Sequence, residues 1–262
     1  SDCNANAVLD ECELRPAFAI AERDAYPVGA GPESVTAADL DGDDDLDLAS
    51  ANFDSANVSI LRNKGDGTYL APRHVSAGQG PTSVAAGDLD GDGDADLVVS
   101  NQAGGSVSIL KNGGTATFTQ FAIGVGPQPI VLAVADLDRD GDLDVVVPRV
   151  GSSAPGPGGV TLLRNSGTGT FAPVTLLPSK SSMAAAADLD RDGRLDLLVA
   201  NVEARTILFL RGNGDGTFKS PLSSPCGGSN PAFITVLDAG GDEHLDLAVA
   251  NIGASGSNSN LT

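Results

Sequence analysis

The stretch VAAGDLDGDGDADLVVSN, residues 84–101, decides the fold, because four other windows of the chain align with it without a gap. They are VTAADLDGDDDLDLASAN at 35–52, LAVADLDRDGDLDVVVPR at 132–149, AAAADLDRDGRLDLLVAN at 184–201 and ITVLDAGGDEHLDLAVAN at 234–251. Their starts lie 49, 48, 52 and 50 residues apart. A period of that size is the mark of a stacked or radial repeat architecture, in which each unit buries its apolar face against the next. The nine-residue period of a calcium-binding β-roll does not fit it.

A second block follows each of the first four windows: NVSILRNKGDGTY (57–69), SVSILKNGGTATF (106–118), GVTLLRNSGTGTF (159–171) and RTILFLRGNGDGTF (205–218). A Gly-Pro turn sits between repeats, as VGAGP at 28–32, AGQGP at 77–81 and IGVGP at 123–127, and weakens to GGSNP at 227–231. Each repeat therefore predicts four strands: a small Ala-rich one, a Leu/Val one after the aspartates, a β-branched one, and a looser outer one. Gly65 and Gly67, or Gly214 and Gly216, supply the positive φ of the hairpin between the last two. The expected fold is all-β, a β-propeller of four-stranded antiparallel blades with five repeats, four complete and the fifth completed by the N-terminal strand. The expected blades are 34–80, 82–126, 129–178, 182–224 and 232–262 plus 17–30, preceded by a tail at 1–16. A fragment of a larger propeller is the alternative.

Within the windows, carboxylates fall at positions 1, 3, 5 and 9 of a nine-residue loop. They are Asp39, Asp41, Asp43 and Asp47; Asp88, Asp90, Asp92 and Asp96; Asp136, Asp138, Asp140 and Asp144; and Asp188, Asp190, Asp192 and Asp196. The fifth loop keeps Asp238, Asp242 and Asp246 but has Gly240 at position 3. Short carboxylates on alternate residues of a tight loop converge on one point, which suits calcium with its six to eight oxygen ligands better than octahedral, water-retaining magnesium. Position 7 is expected to add a backbone carbonyl, so its side chain is free to vary among Asp45, Asp94, Asp142, Arg194 and His244. Gly93, Gly141 and Gly193 at position 6 permit a sharp turn there, where Asp44 and Glu243 depart from the pattern.

Charge separates these loops from ordinary acidic turns. The chain carries a net charge of −20, and the five loops hold 24 acidic and 3 basic residues. The remainder holds 11 acidic and 12 basic residues, so the whole excess sits where a cation is needed to offset mutual repulsion. About four calcium ions are expected. The acidity argues against nucleic acid or an anionic membrane surface as partner, and no apolar run is long enough for a spanning helix. Of the three cysteines, Cys3 and Cys12 are the expected disulfide, leaving Cys226 over.

At the D-x-D-x-D-x-x-x-D loops, the Gly-Pro turns and the NGDGTF-like hairpins, the sequence resembles the FG-GAP family, including VCBS-type bacterial members and the head propeller of integrin α subunits. The resemblance runs from about Phe18 to the C-terminus. It implies a propeller with calcium in the hairpin between the first two strands of a blade, and extracellular adhesion or ligand-binding roles. Family members usually have seven blades, where this sequence has five repeats. Asp2, Asn4, Asn6, Asp10 and Glu13 also look like a dockerin-type half-motif, with Ala7 where Gly is expected.

The expected role is a secreted or cell-surface, non-enzymatic scaffold for an extracellular protein or glycan, as a monomer or part of a larger chain. The long loop Arg149–Gly159 is a candidate contact or a neutral insertion. Carbohydrate binding and polysaccharide-lyase chemistry are the alternatives. Against the second stand only two histidines, His74 and His244, repeats apart. Against the first stand the absence of Trp and the outer-strand positions of Tyr26 and Tyr69.

Overall fold

A computed structural model describes residues 25–151, 158–241, 245–252 and 260–261. All its regular structure is β. The first sheet contains β1 (Pro32–Ala38), β2 (Asp47–Asn52), β3 (Asn57–Leu61) and β4 (Arg73–Ser76), in that order. The second is β5 (Pro81–Gly87), β6 (Asp96–Asn101), β7 (Ser106–Asn112) and β8 (Phe118–Gly124). The third is β9 (Ala133–Ala135), β10 (Asp144–Arg149), β11 (Gly159–Asn165) and β12 (Phe171–Leu177). The fourth is β13 (Ser181–Ala187), β14 (Asp196–Asn201), β15 (Thr206–Leu210) and β16 (Leu222–Pro225). The fifth has β17 (Pro231–Leu237), β18 (Asp246–Asn251) and β19 (Asn260–Leu261). Every sheet is an antiparallel meander, the arrangement of a propeller blade.

Burial explains the composition of each strand. The two central strands of a blade are covered on both faces by the neighbouring blades, so β6, β10 and β14 are buried at every residue and read as continuous Leu/Val runs. The inner strands β1, β5, β9, β13 and β17 pack on one another in chain order, and their alanines permit that approach. The outer strands β4 and β16 are largely solvent-facing and carry Arg73, His74 and Ser223.

The seams between blades hold the core. Leu40, Ile60 and Val84 meet Leu97, Leu110 and Phe118 between the first two blades, and Val107 and Ile109 meet Val145, Leu163 and Phe171 in the next seam. In the first three seams the following blade contributes the last Leu of its third strand and the aromatic that ends its hairpin: Leu110 and Phe118, Leu163 and Phe171, and Leu210 and Phe218. Where that cover is absent among the described residues, apolar surface shows: Leu247 is 39 % exposed, against 0 % for its counterparts Leu97, Val145 and Leu197.

The third strand of the fifth repeat is represented by β19, paired with Ala250 and Asn251. Residues 17–24 of the segment expected to complete that sheet lie outside the described residues. The described part turns to the first blade: Gly29 N donates to Ser59 Oγ at 3.0 Å, and Ala30 N to Ser55 Oγ at 2.7 Å. The expected Cys3–Cys12 disulfide and the motif from Asp2 to Glu13 also lie outside the described residues. Cys226 is buried, and its Sγ donates to the Gly228 carbonyl.

Candidate metal centres

Each aspartate loop joins the inner strand of a blade to its second strand, so four copies of one geometry stand at the same end of successive blades. The position-1 carboxylate folds the loop around itself. Asp39 accepts from the backbone N–H of Gly42, Asp43 and Asp44, at 2.8, 3.3 and 2.9 Å. Asp88 does the same for Gly91 and Gly93, Asp136 for Arg139 and Gly141, and Asp188 for Asp192 and Gly193. The position-5 carboxylates Asp43, Asp92, Asp140 and Asp192 each accept the N–H of position 7 at 3.0 Å.

These turns need positive φ twice. Position 6 has it, as expected, at Asp44, Gly93, Gly141 and Gly193. Position 4 has it as well, at Gly42, Gly91 and Gly241, but also at Arg139 (φ 64°) and Arg191 (φ 59°). Glycine at position 4 in three of five loops was the available signal for this second turn, and arginine in the other two hid it.

The position-9 carboxylates Asp47, Asp96, Asp144 and Asp196 are at most 1 % exposed, and both oxygens of each are engaged by backbone. One oxygen accepts the N–H of the loop's own Leu: Leu40, Leu89, Leu137 or Leu189, at 3.0–3.3 Å. The other accepts the first N–H of the hairpin, from Asn63, Asn112, Asn165 or Gly212, at 2.7–2.9 Å. This residue therefore splices loop to hairpin, and at Asp96 and Asp196 it also belongs to the convergent carboxylate group. Asp246 differs: it is exposed, and a single oxygen accepts two N–H groups of its own loop, Ala239 N at 2.9 Å and Gly240 N at 3.2 Å.

Carboxylate oxygens converge in all four complete loops. Asp39, Asp41 and Asp43; Asp88, Asp90 and Asp96; Asp136, Asp138 and Asp140; and Asp188, Asp190 and Asp196 each place one oxygen within 4.8 Å of the others. Calcium-to-oxygen distances of about 2.3–2.6 Å put two ligands of one ion at most about 5 Å apart, so the spacing fits. None of the four groups contains all four predicted side chains. In the fifth loop Asp238 and Asp246 are described and Asp242 is not. Position-7 side chains point away toward the hairpin of their own blade, where a Cβ on Gly114 would meet the Asp94 carboxylate and one on Gly167 the Asp142 carboxylate. Arg194 turns back to pair with Asp192. The backbone carbonyl is what position 7 can offer an ion.

The strongest sign of an ion is at position 3. One oxygen of Asp41, Asp90 and Asp138, Oδ1 in each case, is buried with no hydrogen-bond partner, a costly state for an ionised oxygen that a coordinated cation removes. The other oxygen meets a basic residue that sequence reasoning missed: Arg62 at 3.3 Å, Lys111 at 3.0 Å, Arg164 at 2.8 Å, and Arg211 on Asp190 at 3.4 Å. The signal was a basic residue immediately before the hairpin in every second block.

Burial raises the carboxyls of Asp47 and Asp196, and pushes those of Asp96 and Asp144 up to about 6. For Asp39, burial acts upward, but the N–H groups of Asp44, Gly42, Asp43 and Asp41 outweigh it and the net direction is down. A carboxyl raised in the fold holds its proton more tightly there than in the unfolded chain. Its contribution to stability is complete below pH about 4 and is lost as pH rises through about 6. In chelator, the urea midpoint is therefore expected to fall between about pH 4 and pH 6. That fall should flatten in the double variant Asp96→Asn, Asp144→Asn, and an unchanged slope there would contradict the assignment.

Of the remaining groups, His74, Tyr26, Tyr69 and Arg149 lie apart from these loops. His74 lies exposed on β4 with Nδ1 3.0 Å from Ser59 Oγ, and His244 is outside the described residues. Tyr26 and Tyr69 pack edge to face, centroids 5.3 Å apart. Arg149, where other repeats have Asn, is 7 % exposed, and residues 152–157 of its loop are not described.

Fold and loops together define a repeat protein of propeller type with acidic loops whose carboxylates could hold a metal ion. The FG-GAP-like repeat pattern matches residues 39–99, 90–147, 151–199 and 188–249, and the chain belongs to that family. No curated protein sequence matches it significantly. Among solved structures it is similar to an Agrocybe aegerita lectin described as specifically recognising non-reducing terminal N-acetylglucosamine, with 25 % identity and a TM-score of 0.51, covering 71 % of this chain and 50 % of that one. It is also similar to Bap1, a biofilm matrix protein of V. cholerae, with 20 % identity and a TM-score of 0.52, covering 89 % of this chain and 37 % of that one. A third is BBS1N in complex with ARL6DN, with 17 % identity and a TM-score of 0.56, covering 90 % of this chain and 67 % of that one. The chain thus spans half or less of the first two proteins.

Proposed function

We propose that the chain is a calcium-stabilised, non-enzymatic binding scaffold that works outside the cell, holding about four ions. The observation that carries this reading is the buried, unpartnered position-3 oxygen repeated in three loops, each inside a convergent carboxylate group. Asp39, Asp41, Asp43 and Asp47 hold the first ion; Asp88, Asp90, Asp92 and Asp96 the second; Asp136, Asp138, Asp140 and Asp144 the third; Asp188, Asp190, Asp192 and Asp196 the fourth. The carbonyls of Asp45, Asp94, Asp142 and Arg194 complete them. Extracellular calcium modules work at dissociation constants of about 10⁻⁴–10⁻³ M, and such sites fill outside cells. The lectin at 25 % identity favours a glycan as ligand. Because Tyr26 and Tyr69 cover one another, a sugar is held here by polar loop groups or by an open calcium position rather than by a tyrosine platform.

Equilibrium dialysis with calcium is expected to give about four ions per chain, with weak competition from magnesium. Glycan-array binding that appears in calcium and vanishes in chelator supports the sugar reading. An array blank in calcium, on a chain loaded with four ions, removes the glycan and leaves a protein partner. Turnover of acidic polysaccharides would overturn the non-enzymatic assignment.

A further inference from the structure

The four basic residues that close the third strands recur at one place in the blade, and charge on a surface at random would not do that. Arg62, Lys111, Arg164 and Arg211 each reach the position-3 carboxylate of their own loop, and each engages only Oδ2. In the first three loops the same carboxylate's Oδ1 stays buried and unpartnered. The two oxygens of these three carboxylates are thus divided, Oδ2 meeting a resident cation and Oδ1 buried without a hydrogen-bond partner, in residues that belong to the convergent groups.

Two of the four go further. Lys111 Nζ also donates to the Thr168 carbonyl, and Arg164 Nη2 to the Asp215 carbonyl, each on the hairpin of the following blade. Those hairpins leave room for them: a Cβ at Gly169 would strike the Lys111 side chain, and one at Gly216 the Arg164 guanidinium. Side chains from the following blade reach back as well, since Asn112 Nδ2 donates to the Leu40 carbonyl at 2.8 Å and Asn165 Nδ2 to the Leu89 carbonyl at 2.7 Å.

We propose that Arg62, Lys111, Arg164 and Arg211 are built-in counter-ions, one per loop, that keep the aspartate loops formed before metal arrives and set calcium affinity down to the level the site uses. This deepens, and rests on, the calcium reading above. A positive charge beside a carboxylate cluster offsets part of its self-repulsion in the empty loop and repels an incoming divalent cation, so the two effects have opposite sign. The residue positions a ligand and is not one itself. In the second and third blades it also carries the state of the loop across the seam.

The test uses Lys111→Met, Arg164→Met and Arg211→Met, with Lys111→Arg as the charge-retaining control. Arg211 makes no bond to a following blade among the described residues, so its variant isolates charge from seam. In chelator and low salt, each Met variant is expected to melt about 2–4 °C below wild type, with the deficit shrinking as salt rises. In saturating calcium the deficit should be less than half as large, and calorimetry should show one site per variant binding several-fold tighter. Lys111→Arg should match wild type in all three readings. Equal deficits with and without calcium would reduce these residues to seam contacts and overturn the proposal. Weaker calcium binding would make them orienting arms and overturn it also. If wild type takes up no calcium, it is the calcium reading that fails, and the salt dependence in chelator still decides whether the residues act as counter-ions.

Discussion

Withdrawing calcium is expected to lower the melting temperature by about 12–24 °C. At a concentration ten times the dissociation constant, each site stabilises the fold by roughly 1.4 kcal/mol, or about 6 kcal/mol over four sites, and a chain of this size shifts by about 2–4 °C per kcal/mol. The physical source is in the loops. Twenty-four acidic residues stand in five short turns, and the rest of the chain is nearly neutral. Magnesium should restore little, because it dehydrates reluctantly and demands octahedral geometry. High monovalent salt should restore part, since it screens exposed carboxylates but not the buried oxygens of Asp41, Asp90 and Asp138. Differential scanning calorimetry in millimolar calcium and in excess chelator decides the matter. Coincident curves would return the loops to the status of acidic turns.

Much of this molecule could be read before its structure, and the reasons are local. A strand buried on both faces must be apolar throughout, so the Leu/Val runs announced β6, β10 and β14. An outer strand wet on one side has no such constraint, which is why β4 and β16 were the loosest in outline. The aspartates were legible because a nine-residue loop brings its own residues together. Links across a seam were not. Asn112 and the Leu40 carbonyl are 72 residues apart in sequence, and Lys111 meets a carbonyl 57 residues on. Only the packing of one blade on the next creates those pairs, and a periodic sequence cannot say which copy of a residue a side chain will touch. Position 4 was hidden for a different reason. The three N–H acceptances of Asp39 force positive φ on the turn, and the same pull holds Arg139 and Arg191 in a conformation their side chains do not favour.

The third loop gives the clearest separation of the two jobs its aspartates do. Asp144 is 1 % exposed, accepting Asn165 N at 2.8 Å and Leu137 N at 3.3 Å, whereas Asp140 is exposed and accepts Asp142 N from within its own turn. Asp144→Ala leaves two buried N–H groups without acceptors and unties loop from hairpin, at a cost of about 3–5 kcal/mol. That cost is present in chelator as well as in calcium, because the two hydrogen bonds do not depend on the ion. Asp140→Ala removes a ligand from a solvated turn, and is expected to cost under about 1 kcal/mol in chelator. In calcium it should forfeit most of one site's stabilisation, roughly 1.4 kcal/mol at ten times the dissociation constant. Urea unfolding of both variants in both conditions reads the four values. If Asp144→Ala were harmless in chelator, position 9 would be a ligand and nothing more. If Asp140→Ala were costly there, position 5 would belong to the fold rather than to the ion. The expected crossing of the two patterns identifies each aspartate loop as a structural joint that also presents a metal site.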